Sequence, residues 1–146
     1  MKIKDVLKKE NISIIDENIS WKDAIYLITK PLIEQGYVES RYPEEIIKNT
    51  NEFGPYYVLV EDVAFVHTRP DQGVIDNQIA VLVNHTSVDF EANKKTAKLF
   101  ITLAASGSEE HLEIMAALAD LLSDESKINQ IINSNSIEEI YQLLIN

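Results

Sequence analysis

Residues 98–122 read KLFITLAASGSEEHLEIMAALADLL, and the change of period inside them decides the fold class. Lys98 to Ala105 is an apolar run with β-branched and aromatic side chains, the pattern of a central strand covered on both faces. Ser106-Gly107-Ser108 forms a turn. From His111 to Leu122 the apolar residues Leu112, Met115, Leu118 and Leu122 recur at helical spacing, which predicts a helix with one core-facing stripe. A buried strand that turns directly into an amphipathic helix is a unit of an α/β architecture.

Working outward towards the N-terminus, Val88-Asp89-Phe90 reads as the edge of a further hairpin strand. Ile79 to Val83 is an uninterrupted apolar run and reads as a strand buried on both faces. Val63 to Val66 is a second short apolar run, and the aromatic and β-branched Tyr56 to Val60 also reads as a strand. Gly54-Pro55 stops the helix predicted from Arg41 or Tyr42, whose first turn holds Pro43 and Glu44-Glu45 and whose buried side holds Ile46 and Ile47. Ser20-Trp21-Lys22-Asp23 is a capping box, followed by Ala24, Ile25, Ile28 and Leu32 at helical spacing. Pro31 predicts a kink or break there, and Gly36 a C-cap. Ile3 to Lys9 has a short helical pattern, and Asn11 to Ile15 reads as a strand or an extended lead-in. Beyond Leu122, Ile128 to Ile132 and Ile137 to Ile145 form two further helices, with Ser136 capping the second. Helices open and close the chain and strands lie between them. The expected fold is therefore a single α/β domain over residues 1–146, a central mixed β-sheet flanked by helices on both faces.

The 146 residues carry 13 Lys and Arg against 24 Asp and Glu, a formal charge of −11. Such a surface repels nucleic acid and anionic lipid and favours a basic protein face. With no cysteine, disulfides and thiolate metal sites are excluded, and a cytoplasmic location is expected. MKIKDVLKKEN is not a signal peptide, and no window is apolar enough to span a membrane.

Three histidines offer chemistry: His67, His85 and His111. His67 ends an apolar strand and opens the turn Thr68-Arg69-Pro70-Asp71-Gln72-Gly73. His111 falls in the first turn of a predicted helix. If the two strands 63–66 and 98–105 are neighbours, their C-terminal ends bring the two imidazoles together. Such a pair can bind a metal with a third ligand such as Glu61 or Asp71, can act as general acid and base, or can attack phosphorus. The surroundings favour the third. Arg69 offers a fork of donors to phosphate, and the helix start at 108–112 favours negative charge. There is no Gly-rich phosphate loop, the four glycines being scattered at 36, 54, 73 and 107, and no H-x-H or H-E-x-x-H spacing. His85 reads as a loop histidine, Trp21 as a packing anchor, and the Leu112, Met115, Leu118 stripe as core.

Residues 54–74, GPYYVLVEDVAFVHTRPDQGV, resemble the active-site segment of the enzyme IIA components of the phosphoenolpyruvate-dependent sugar phosphotransferase system. The branch is the mannitol/fructose-type superfamily, in its ascorbate-like subgroup. Gly54, Pro55, Tyr56, Ala64, His67, Arg69, Pro70, Gly73 and Val74 fit its G-P-Y, A-[apolar]-P-H-A-R-P-E-x-G-V pattern. Ser20-Trp21 with Ala24-Ile25, and Leu103-Ala104-Ala105 with His111-Leu112 and Leu118-Ala119, resemble two further blocks. Departures from the pattern include Val66, where the family has proline, Thr68, where it has alanine, and Glu61-Asp62, where it has proline-glycine.

The resemblance implies a histidine phosphocarrier of mannitol-type enzyme IIA fold. In it His67 takes a phosphoryl group from the phosphocarrier protein HPr and passes it to an enzyme IIB, and indirectly serves a membrane enzyme IIC during sugar uptake. It implies that His111 hydrogen-bonds the phosphoryl group, that Nε2 carries it, and that no metal or diffusible cofactor takes part. A phosphate-orienting role for Arg69 is added from its place in the turn. Phe65 and Val66 are expected to form part of an apolar rim. The sugar is not readable, because enzyme IIA never touches it, and a homodimer stays open. The alternative is a regulatory or degenerate module of the same fold that is not coupled to transport.

Overall fold

The computed structural model describes residues 2–146, without the side chains of Ser108, Glu110 and His111. Its elements in chain order are α1 (Ile3–Val6), β1 (Leu7–Ile15), α2 (Trp21–Glu34), α3 (Tyr42–Phe53), β2 (Asp62–His67), β3 (Gln78–Asp89), β4 (Thr96–Ala104), α4 (Ser108–Leu122), α5 (Glu125–Ile132) and α6 (Ile137–Ile145). The strands form one sheet in the order β1-β3-β4-β2. β1 pairs parallel to β3, β3 antiparallel to β4, and β4 parallel to β2. The sheet is therefore mixed, as expected.

Strand alternation sends successive side chains to opposite faces, and the two central strands are buried on both. Ile79, Val81 and Val83 of β3 join Leu99, Ile101 and Leu103 of β4 under Ile114, Leu118 and Leu121 of α4, Ile128 and Ile131 of α5, and Ile140 and Leu144 of α6. Ala80, Leu82, Phe100 and Ala104 face the other way, under Ala24, Ile25, Ile28 and Leu32 of α2 and Tyr42 and Ile46 of α3. Trp21 is buried and stacks on Phe90 at 6.0 Å between ring centroids. Thr102 is the polar exception among the buried residues of β4. The Tyr42 hydroxyl donates its single proton to the Leu103 carbonyl at 2.7 Å, so the Thr102 hydroxyl is the donor across the 3.4 Å to Tyr42.

Local signals hold where they are self-contained. Ser20 caps α2 by accepting from the Asp23 N–H, and Ser136 caps α6 by accepting from Glu139 N–H. Gly36, at φ 81°, ends α2 with two bonds: its own N–H to the Ile33 carbonyl and that of Tyr37 to Leu32. This is the paired arrangement that a left-handed residue after a helix allows.

Four readings change. The helix at Ile3 to Lys9 stops at Val6, because Leu7 onward is recruited as an edge strand against β3. Tyr56 to Val60 is a loop, not a strand. Pro55 has no N–H to give a ladder, Tyr57 turns inward to share a 2.7 Å hydrogen bond with Thr50, and the chain doubles back through a Val60–Val63 bridge with Asp62 at φ 67°. Val88-Asp89 continues β3 beyond a register shift after Val83, so His85 lies in a strand, not a loop, its Nε2 3.0 Å from the Ser134 carbonyl oxygen. Pro31 does not break α2, which runs on to Glu34. Pro31 lies only one turn from the helix end, where a single missing bond is tolerated.

Candidate functional site

β2 and β4 are parallel neighbours, with His67 opposite Leu103. The chain leaves β4 through Ala105 to Gly107 and enters α4 at Ser108, so the C-terminal edge of the sheet carries His67 beside the first turn of α4. His111 is the fourth residue of that helix, while its side chain lies outside the described residues. The next residue, Leu112, lines the same cavity as His67. The expected neighbourhood of the two segments is therefore present at the backbone level.

The cavity has a volume of about 690 Å³ and is lined by Asn49 and Phe53 of α3, Tyr56, His67, the turn residues Thr68, Arg69, Pro70 and Gln72, and Leu112. Its rim is apolar, but not with the residues expected. Phe65 and Val66 are buried on opposite faces of the sheet, whereas Phe53 is 64% and Leu112 67% exposed. Leu112 leaves the core stripe to which its spacing assigned it. The buried stripe of α4 is instead Ile114, Leu118 and Leu121.

The His67 ring is half-buried, and its Nδ1 lies 2.8 Å from the Phe65 carbonyl oxygen. A carbonyl can only accept, so Nδ1 carries the proton, and in the neutral ring the basic lone pair sits on Nε2. Two aromatic edges hold the imidazole: Tyr56 at 5.7 Å and Phe65 at 5.5 Å between centroids, both close to perpendicular. The Tyr56 hydroxyl donates to the main-chain carbonyl of His67 at 2.9 Å. Burial pushes the Tyr56 phenol above the ordinary tyrosine range, while a hydrogen bond from Asn49 and the charge of Arg69 act in the opposite sense. The phenol thus remains a donor at physiological pH.

Arg69 stands at the lip of the cavity with its side chain 70% exposed and its Nε 3.3 Å from Asp71 Oδ1. Among the described residues no group of three or more His, Asp or Glu is arranged to hold a metal ion. No helix of the described residues is long and apolar enough to cross a membrane.

Two residues of the site escape a sequence reading. Asn49 and Gln72 are only 8% and 7% exposed, and they meet as a reciprocal amide pair between α3 and the turn after His67. Asn49 Nδ2 donates to Gln72 Oε1 at 3.0 Å, and Gln72 Nε2 donates to Asn49 Oδ1 at 3.3 Å. Neither residue type is distinctive, and their separation along the chain gives no periodic signal. Only the geometry shows them.

The family model described as phosphoenolpyruvate-dependent sugar phosphotransferase system, EIIA 2, matches residues 5–146. The mannitol-specific cryptic phosphotransferase enzyme IIA CmtB from Escherichia coli has a solution structure that superposes with a TM-score of 0.92 at 28% identity, covering 99% of this chain and 98% of that one. The ascorbate-specific EIIA component from Salmonella choleraesuis is 26% identical over 99% of this chain and 96% of its own length. Enzyme IIA for mannitol from Escherichia coli, in a complex with its phosphorylated enzyme IIB, superposes with a TM-score of 0.82 at 26% identity over 95% of this chain and 98% of that one. With a family match over nearly its whole length and a fold shared with these structures, the chain belongs to the EIIA 2 family of the phosphoenolpyruvate-dependent sugar phosphotransferase system, whose members are phosphotransferase components.

Proposed function

We propose that the protein is a phosphocarrier that receives a phosphoryl group on His67 and hands it to a second protein. The observation that carries the reading is the 2.8 Å contact of His67 Nδ1 with the Phe65 carbonyl. It puts the basic lone pair of the neutral ring on Nε2, which supports Nε2 as the nucleophile, and His67 lines an open, apolar-rimmed cavity. In the forward step the Nε2 lone pair bonds to phosphorus as the N–P bond of the donor phosphohistidine breaks, its electron pair returning to the donor imidazole. The onward step repeats this with the acceptor as nucleophile. Little covalent work falls to the rest of the site, whose task is alignment and neutralisation of charge on the phosphoryl oxygens. Arg69 is assigned to that neutralisation, and His111, at the facing helix start, to a hydrogen bond with the phosphoryl group.

HPr is the proposed donor and an enzyme IIB the proposed acceptor, the latter supported by the complex formed by the mannitol relative. The apolar rim of Phe53, Tyr56 and Leu112 suits a protein partner better than a small polar substrate. The protein would work in the cytoplasm during sugar uptake as one domain.

The test is intact mass after incubation with phosphoenolpyruvate, enzyme I and HPr. Wild type is expected to gain one acid-labile phosphoryl group of roughly 80 Da, and His67→Ala none. Phosphate retained by His67→Ala would overturn the assignment of the nucleophile. No gain by wild type would point to the regulatory alternative or to another donor.

A further inference from the structure

The two peptide units that follow His67 are each pinned by a side chain. The His67 carbonyl accepts from Tyr56, and the Arg69 N–H donates to Gln72 Oε1 at 3.1 Å. That second contact fixes the Gln72 amide, since an N–H can face only the oxygen. Oε1 then uses its remaining lone pair for Asn49 Nδ2, and Nε2 serves Asn49 Oδ1 and Glu45 Oε2, the latter at 3.3 Å. Glu45 is held in turn by Arg41, whose guanidinium also donates to the Asp71 carbonyl at 3.1 Å. Asn49 anchors the pair to α3, because both atoms of its amide bond Gln72. No buried side-chain polar atom of the described residues lacks a partner, so the network is complete as built.

We propose that Asn49 and Gln72 are positioning residues for phosphoryl transfer, a buried amide pair that fixes the path of the main chain from His67 to Arg69 and so the placement of the Arg69 side chain relative to the imidazole. The inference rests on the phosphocarrier reading. Neither residue needs to touch the phosphoryl group. Their effect runs through the Arg69 N–H, which Gln72 holds. The pair behaves as one unit, because removing either amide leaves the other buried and short of one donor and one acceptor.

The experiment compares wild type with Asn49→Ala, Gln72→Ala and the double variant in single-turnover phosphorylation by phosphorylated HPr, over a range of donor concentration. Gln72→Met, which keeps the volume without the amide, is added in case the alanine variant does not fold. Each protein is also examined for exchange of the Arg69 amide proton by NMR. The expected result is a maximal rate lower by roughly tenfold or more in each single variant, since small misplacements near a reacting centre have effects of this order. The donor concentration for half-maximal rate should change by less than about threefold, and the double variant should be no slower than the slower single. Protection of the Arg69 amide should fall in each variant while the far-UV spectrum is kept. Rates within about threefold of wild type, or losses that multiply in the double variant, would overturn the proposal. If wild type itself takes no phosphate, the phosphocarrier reading fails. The Arg69 amide then decides alone: unchanged protection in the variants overturns the clamp, and lost protection upholds it.

Discussion

At the scale of single residues, the site separates what makes the nucleophile from what holds the phosphate. His67 is set by its own β-strand, through a carbonyl two residues back, whereas the Arg69 side chain is mostly exposed with a long contact to Asp71. An exposed ion pair of this kind contributes about 0–1 kcal/mol to stability. Arg69→Ala is therefore expected to leave the thermal midpoint within a few degrees of wild type and to slow phosphoryl uptake by roughly tenfold or more. Parallel melting and single-turnover measurements check this, and an unchanged uptake rate would remove Arg69 from the site. Its place two residues after a histidine was legible in the sequence. The clamp on its main chain was not, because Asn49 and Gln72 become informative only when α3 packs against the turn.

At the scale of elements, helix ends carry their own instructions. Gly36 terminates α2 in the left-handed region at φ 81°, and a methyl group there would meet nothing within 4 Å. Gly36→Ala is thus a measure of backbone strain alone. It is expected to lower stability by about 1 kcal/mol in urea unfolding, and a change near zero would mean that the turn relaxes to another conformation. Ser20→Ala, which removes the acceptor for the Asp23 N–H, is expected to cost about 1 kcal/mol in the same assay. Strand signals travelled less well. The aromatic and β-branched run Tyr56 to Val60 has strand composition, yet it forms a loop because its phenols find better partners, Tyr57 with Thr50 and Tyr56 with the His67 carbonyl. The same composition serves β-sheet or loop, and the choice rests on partners distant in sequence.

At the scale of the whole molecule, the sheet is sandwiched between two apolar layers, and its central strands are buried on both faces. Phe100 is fully buried beneath α2 and α3, so Phe100→Ala is expected to lose about 3–5 kcal/mol by urea unfolding. Three phenols give the fold a pH limit. Burial raises Tyr42, Tyr56 and Tyr57 above the ordinary tyrosine value. The folded state therefore keeps these protons longer than the unfolded chain does. Their contribution is fully present below about pH 10 and is lost as pH rises from there towards the folded values. Denaturant midpoints followed from neutral pH to about pH 11 should decline over the upper part of that range, with the tyrosinate absorbance lagging behind that of free tyrosine. A flat profile would contradict the burial. By itself the sequence determined the α/β class, the mixed sheet, the caps at Ser20, Gly36 and Ser136, and the histidine-bearing turn, because periodicity and local hydrogen bonding are written within a few residues of chain. The tertiary structure alone decided that Leu112 faces the cavity, that Val88 and Asp89 extend β3, and that Asn49 and Gln72 close over the turn after His67, because each depends on which distant segment arrives to offer a partner.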